Sequence, residues 1–315
     1  MTIHTSEIEL HPVYAMPPVT RDAEGRLRRV GVEVEFGRLS AAGAAEALKA
    51  DLGGAIVEED AHAFRLVGSA VGDLLVELDL RITHPARHEG TPQGRLSPTV
   101  ARLVGNLASL VVPRELVASP RPFADLADID RAVGSLARAG AAPVGPASFG
   151  LHFNVDPPKV DTDTALSFLR AFLILSEPLR ASAGPAGRFD PRPAFPDAYA
   201  ALVLDPAYRP DTAGFIADYI RHNPTRRRDL DLLPLLLVFD EARVRSALPN
   251  EKIGRRPVLH YRLPAAAVGE PGWSIAPAWN RWVAVERLAT DPDQMARALA
   301  HDPVRLALAR GLSGS

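Results

Sequence analysis

The stretch RRVGVEVEFGRL, residues 28–39, carries two glutamates, Glu33 and Glu35, inside a run of valines. In a strand, successive side chains turn to opposite faces. Val30, Val32, Val34 and Phe36 then share one face, and Glu33 and Glu35 the other, with Cα atoms roughly 7 Å apart. Two carboxylates so placed repel unless a cation or water lies between them. The device recurs as Glu77 and Asp79 in DLLVELDLRI, Glu115 in RELVAS, and His152 with Asn154 in SFGLHFNVD. One such strand alone reads as the solvated face of an antiparallel sheet. Several together, with His152 close after a glycine in an otherwise apolar strand, shift the reading toward a divalent-cation site. Mg²⁺ takes carboxylate oxygens and keeps several waters, which suits acids offered by neighbouring strands.

Composition narrows the chemistry. The 315 residues contain no cysteine, which excludes disulfides, a cysteine nucleophile and thiolate metal sites. Any metal must be held by oxygen or imidazole. A net charge of −2 provides no basic field for nucleic acid. Lysine occurs only at positions 49, 159 and 252, so arginine supplies nearly all of the 36 basic residues, and an arginine cluster is a weak functional signal here. No Walker loop, dinucleotide fingerprint, His-Glu-x-x-His or Gly-x-Ser-x-Gly is present. The start MTIHTSEIELHPVY is acidic where a signal peptide is cationic, and the apolar run LLPLLLVF is too short to span a bilayer. The expectation is a cytoplasmic protein with no membrane partner.

The elements that must position these residues follow from periodicity. Strands are expected at 29–36, 55–58, 63–67, 73–82, 114–119, 148–156 and 257–264. Helices are expected at 41–50, capped by Ser40, and at 97–109, 126–139, 164–180, 212–222, 230–248, 279–288 and 292–312. The Pro-rich stretch 184–210 reads as an irregular loop or lid. Trp273, Trp279 and Trp282 read as packing residues, and His62 as a surface one. Because the strands alternate faces rather than forming continuous apolar runs, the fold class is α+β with a largely antiparallel sheet, helices on one face and an open concave polar face. The chain reads as one domain over 1–315, its C-terminal helix in 290–315.

Five blocks in order, VGVEVEF, RELVASPRPF, GLHFNVDP, RRPVLHYRLP and WNRWVAVERLA, resemble the amidoligase family. These are carboxylate–amine ligases related to glutamine synthetase and glutamate–cysteine ligase, and the blocks span 28–289. The resemblance implies an antiparallel, partly barrel-like sheet of that type whose concave face holds ATP with Mg²⁺, or Mn²⁺. By position it makes Glu33, Glu35 and Glu115 metal carboxylates and His152 a metal or phosphate contact. Arg262 matches an arginine that contacts phosphate or the transferred group, and Arg255 and Arg256 lie near phosphate-side arginines. Arg227, in RRRD, could reach a phosphate or an acidic substrate. Glu77 and Asp79 could take a proton from the amine or bind it.

Two positions depart from the family pattern. Asn154 stands where many relatives have a second histidine, and His260 where they place a metal-binding glutamate. His260 can still bind a metal, with less charge. The implied reaction is formation of an amide or peptide bond between a small-molecule or peptide carboxylate and an amine, through an acyl phosphate. A catalytically silent ATP- or small-molecule-binding protein of the same fold and a kinase using the same cradle are the competing readings. The acid, the amine and the oligomeric state are left open.

Overall fold

The computed structural model describes residues 13–78, 112–143, 149–183 and 193–301. Nine strands and nine α-helices lie among them. The strands are β1 (Arg29–Phe36), β2 (Ala55–Asp60), β3 (Ala63–Ser69), β4 (Gly72–Leu78), β5 (Arg114–Pro122), β6 (Phe149–Val155), β7 (Leu230–Asp231), β8 (Leu259–Tyr261) and β9 (Ala265–Ala266). They form one antiparallel sheet in the order β2-β3-β4-β5-β1-β6-β8-β7, with β9 paired to β6. Among the described residues the path does not close on itself.

Alternation divides this sheet into two faces. Val30, Val32, Val34, Phe36, Leu74, Val76, Leu116, Leu151, Phe153, Leu259 and Tyr261 are all buried. Helices on that side include α1 (Ala41–Leu52), and further along the chain Thr162–Ala181 and Ala276–Ala289. Ser40 caps α1 by accepting a hydrogen bond from the Gly43 amide, as its sequence position predicts. Numbered in chain order, the other helices are α2 (Ala127–Arg138), α3 (Thr162–Ala181), α4 (Asp197–Leu204), α5 (Thr212–His222), α6 (Leu233–Phe239), α7 (Glu241–Ala247), α8 (Ala276–Ala289) and α9 (Pro292–Ala300).

Aromatic rings join α3 and α8 to the sheet. Trp282 packs on Phe168 and Tyr261, with centroids 5.9 and 5.2 Å away, and Trp279 packs on Phe153 at 5.7 Å. Burial of each such side chain stabilises the fold by about 1.5–3 kcal/mol. Arg28, just before β1, makes a bidentate pair with Glu286 of α8, both bonds 2.8 Å and both side chains 0% exposed. Trp282 Nε1 donates to the same carboxylate. The start of the central strand is thereby fixed to the helical layer.

Several expectations are corrected. The helix predicted over 230–248 is three elements: β7, α6 and α7. Asp229-Leu230-Asp231-Leu232 alternates with period two, and the extended Asp240 interrupts the helix and caps α7 through the Arg243 amide. The Pro-rich stretch 184–210 contains a regular helix, α4, which buries Tyr199 and Val203. His62 is buried rather than superficial. Of the helix expected over 292–312, Pro292–Ala300 is helical and His301 turns extended; 302–312 lie outside the described residues. Asp79, the expected helix at 97–109 and residues 184–192 lie outside the described residues. No helix among the described residues is long and apolar enough to cross a membrane.

Candidate metal centre

The polar face is built from the middle of the sheet, where strand register aligns the side chains. Glu33 on β1 stands opposite His152 on β6. Asn154, also on β6, stands opposite His260 on β8, and His260 opposite Asp231 on β7. One register step away, Glu35 on β1 faces Glu115 on β5, which faces Glu77 on β4. Four strands thus contribute to one polar group and three to an adjoining row of acids.

The group around Glu33 is tightly connected. Its Oε2 accepts a hydrogen bond from His152 Nδ1 at 3.0 Å, and its Oε1 accepts one from Asn154 Nδ2 at 2.9 Å. Arg256 Nη1 lies 3.8 Å from Oε1. The rings of His152 and His260 meet edge to face, 5.5 Å between centroids. Ligand-capable atoms of Glu33, His152 and His260 all lie within 4.8 Å of one another. Two trans ligands on one ion at about 2.1 Å span roughly 4.2 Å, so closing on a cation takes sub-ångström side-chain movement.

Burial makes the arrangement costly unless something compensates it. His260 is 1% exposed and neither of its ring nitrogens has a hydrogen-bond partner, and Asp231 Oδ2 and Asn154 Oδ1 are also unsatisfied. Each unsatisfied buried polar group costs about 1–3 kcal/mol. Asp231, 0% exposed, holds Oδ2 3.6 Å from His260 Nδ1 and 3.9 Å from Arg226 Nε. A dication bound to one His260 nitrogen would offset part of this cost, and the donor set of two imidazoles and a carboxylate fits one.

Electrostatics set the protonation states a metal requires. Burial works to raise the pKa of Glu33. The His152 hydrogen bond and the fields of His260, His152 and Arg256 outweigh it, holding the carboxyl well below the usual carboxylate range. Burial pushes His260 down to about 4 against the opposing pull of Asp231 and Glu33. At neutral pH the cluster therefore presents an anionic glutamate and a neutral imidazole.

Glu35 joins from the other side of His152. Its Oε2 accepts the Gly150 amide at 2.7 Å. A Cβ on Gly150 would lie 2.6 Å from His152 Nε2 and 3.0 Å from Glu35 Oε1. The missing side chain of Gly150 is thus what lets His152 sit between the two glutamates.

Of the predicted metal residues, the structure brings together Glu33, His152 and His260, sets Glu35 beside them across Gly150, and puts Glu115 in the adjoining row with Glu77. Arg256 reaches Glu33. Arg262 follows His260 by two residues, just past β8, and its amide donates to the Asp229 carbonyl at 2.7 Å. Arg255 lies 3.6 Å from Glu241 on α7, and Arg227 is exposed, whereas its neighbour Arg226 leans toward Asp231. Asp231 was missed because the Asp-Leu-Asp-Leu alternation was absorbed into a helix. That alternation was the signal that could have found it.

Compared with known families, residues 26–284 match the one described as "putative amidoligase enzyme". No curated protein and no solved structure matches the chain.

Proposed function

The chain belongs to the amidoligase family, which covers most of its length, and we propose that it is an ATP-dependent carboxylate–amine ligase working on the polar face of the sheet. Family membership supports ligase chemistry. The observation that carries the site is His260, buried with both nitrogens unpartnered beside the anionic Glu33. In this reading the sheet is a glutamine synthetase-like scaffold, with Glu33, His152 and His260 holding one divalent cation and Glu35 and Glu115 available to another.

A carboxylate is a poor acyl donor because its leaving group would be oxide. Phosphoryl transfer from ATP converts it to an acyl phosphate, releasing ADP, and the amine then displaces inorganic phosphate. Bound cations neutralise the phosphate charge during such a transfer. The protein's part is positioning and charge complementarity. Arg256, next to Glu33, and Arg262, beyond His260, supply positive charge for the transferred group. Glu77 or Asp79 binds the amine or accepts its proton.

Calorimetry of a non-hydrolysable ATP analogue with Mg²⁺ or Mn²⁺ tests the reading. Binding is expected in the wild type and lost in Glu33→Ala. Release of ADP and free phosphate is expected only when a carboxylate and an amine are both supplied. A stable phosphorylated acceptor formed without amine dependence would mark a kinase instead, and no nucleotide binding at millimolar concentration would leave a silent binding protein.

A further inference from the structure

We infer that the Glu33–His152–His260 cluster is a two-imidazole, one-carboxylate site that takes a first-row transition-metal dication in preference to Mg²⁺, with Asp231 orienting His260 from behind. This deepens the metal-site part of the proposed function and is independent of the ligase chemistry.

The donor set is the first ground. Mg²⁺ prefers oxygen ligands, near-ideal octahedral geometry and retained water, whereas imidazole favours the transition metals. The cluster within 4.8 Å offers two imidazoles and only one carboxylate. The neighbours on the same face add little anionic charge. Asn154 brings only a neutral amide oxygen, its Nδ2 bonded to Glu33, Glu35 accepts the Gly150 amide through Oε2, and Arg256 adds positive charge 3.8 Å from Glu33. A weakly charged, nitrogen-rich pocket gives Mg²⁺ little to offset its dehydration.

Asp231 is the second ground. Metal-bound histidines commonly give their other ring nitrogen to a carboxylate, which selects the tautomer and raises ligand basicity. Asp231 Oδ2 lies 3.6 Å from His260 Nδ1, fully buried and without a hydrogen-bond partner. Shortening that contact by about 0.7 Å would make it a normal hydrogen bond. Nδ1 would then carry the proton and Nε2 would be the metal-binding nitrogen. β7 and β8 hold the two residues in register, so the pairing is set by the sheet rather than by a loop.

The test uses the full chain stripped with EDTA and Mn²⁺ as the probe. Mn²⁺ binding is followed by loss of the free-ion electron paramagnetic resonance signal, and ligand nitrogens by electron spin-echo modulation. Expected are one tight Mn²⁺, modulation from two histidine nitrogens, and less than half displacement by a hundredfold excess of Mg²⁺. Displacement by equimolar to tenfold Mg²⁺, or bound Mn²⁺ without nitrogen modulation, would overturn the inference, as would no Mn²⁺ binding. His260→Ala is expected to remove one nitrogen coupling. Asp231→Asn is expected to lower Mn²⁺ affinity 10- to 100-fold while keeping both couplings. Unchanged affinity in a folded Asp231→Asn protein would refute the role given to Asp231. Retained Mn²⁺ preference without ligase activity would leave this inference standing and defeat the functional reading. Strong Mg²⁺ competition with intact ligase activity would do the reverse.

Discussion

Replacing Gly150 by alanine adds one methyl group to the most crowded point of the polar face. The new Cβ would lie 2.6 Å from His152 Nε2 and 3.0 Å from Glu35 Oε1. An ordinary non-bonded contact is about 3.5 Å, so the ring edge must retreat by roughly 0.9 Å. Room for that retreat is limited. His152 is buried, its Nδ1 is held by Glu33 and its ring abuts His260. Metal ligands tolerate errors of only about 0.2 Å, so the displacement should cost at least tenfold in Mn²⁺ affinity.

The stability effect is a difference of opposing terms. Overpacking costs about 1–3 kcal/mol, while relieving a strand of glycine's backbone freedom returns about 0.5–1 kcal/mol. Net destabilisation of about 0–2.5 kcal/mol is expected, with the metal affinity as the decisive readout. Paired Mn²⁺ titration and thermal melts measure both. Gly134→Ala in α2 serves as control, because its Cβ meets only the flexible Arg138 guanidinium, at 3.3 Å. If Gly150→Ala binds Mn²⁺ within twofold of wild type and melts no lower, His152 is not held where its metal role requires.

Glu286→Gln should destabilise the protein by about 3–5 kcal/mol, since it strips the charge that compensates the buried Arg28. A melting temperature within about 2 °C of wild type would show that the pair is not the clamp on β1 described above. Asp161 caps α3 through the Thr164 amide and contacts Lys159 at 2.6 Å. Asp161→Ala should cost about 1 kcal/mol and Asp161→Asn much less, by denaturant melts near neutral pH. Burial works to raise the Asp161 pKa, but the Lys159 contact and the Thr164 bonds outweigh it and lower it. Its stabilisation is therefore complete above the ordinary aspartate value and fades as pH falls through the lower folded one. A wild-type minus Asp161→Asn stability difference that is flat across that acid range would contradict this.

Most of the sheet could be read from residues in order. β1 and α1 were legible because alternation and a Ser40 cap are local signals, written within a few residues of the structure they specify. Glu33, Glu35, His152 and the departure at His260 were legible as residue types on strand faces and as blocks matching a family. The break between β7, α6 and α7 was not, because a leucine-rich run of that length satisfies helix and strand templates alike. Asp231 was lost with it.

The chain alone determined which side chains could ligate a cation and, through alternation, which share a face of their own strand. Only the tertiary structure decided which strands are neighbours and in what register. That placed Glu33 between His152 and Asn154, put Asp231 behind His260, and set Arg256 beside Glu33. Register depends on pairing between segments distant in the chain, as of Glu33 with His152 and Asp231 with His260. No periodicity within one segment carries that information.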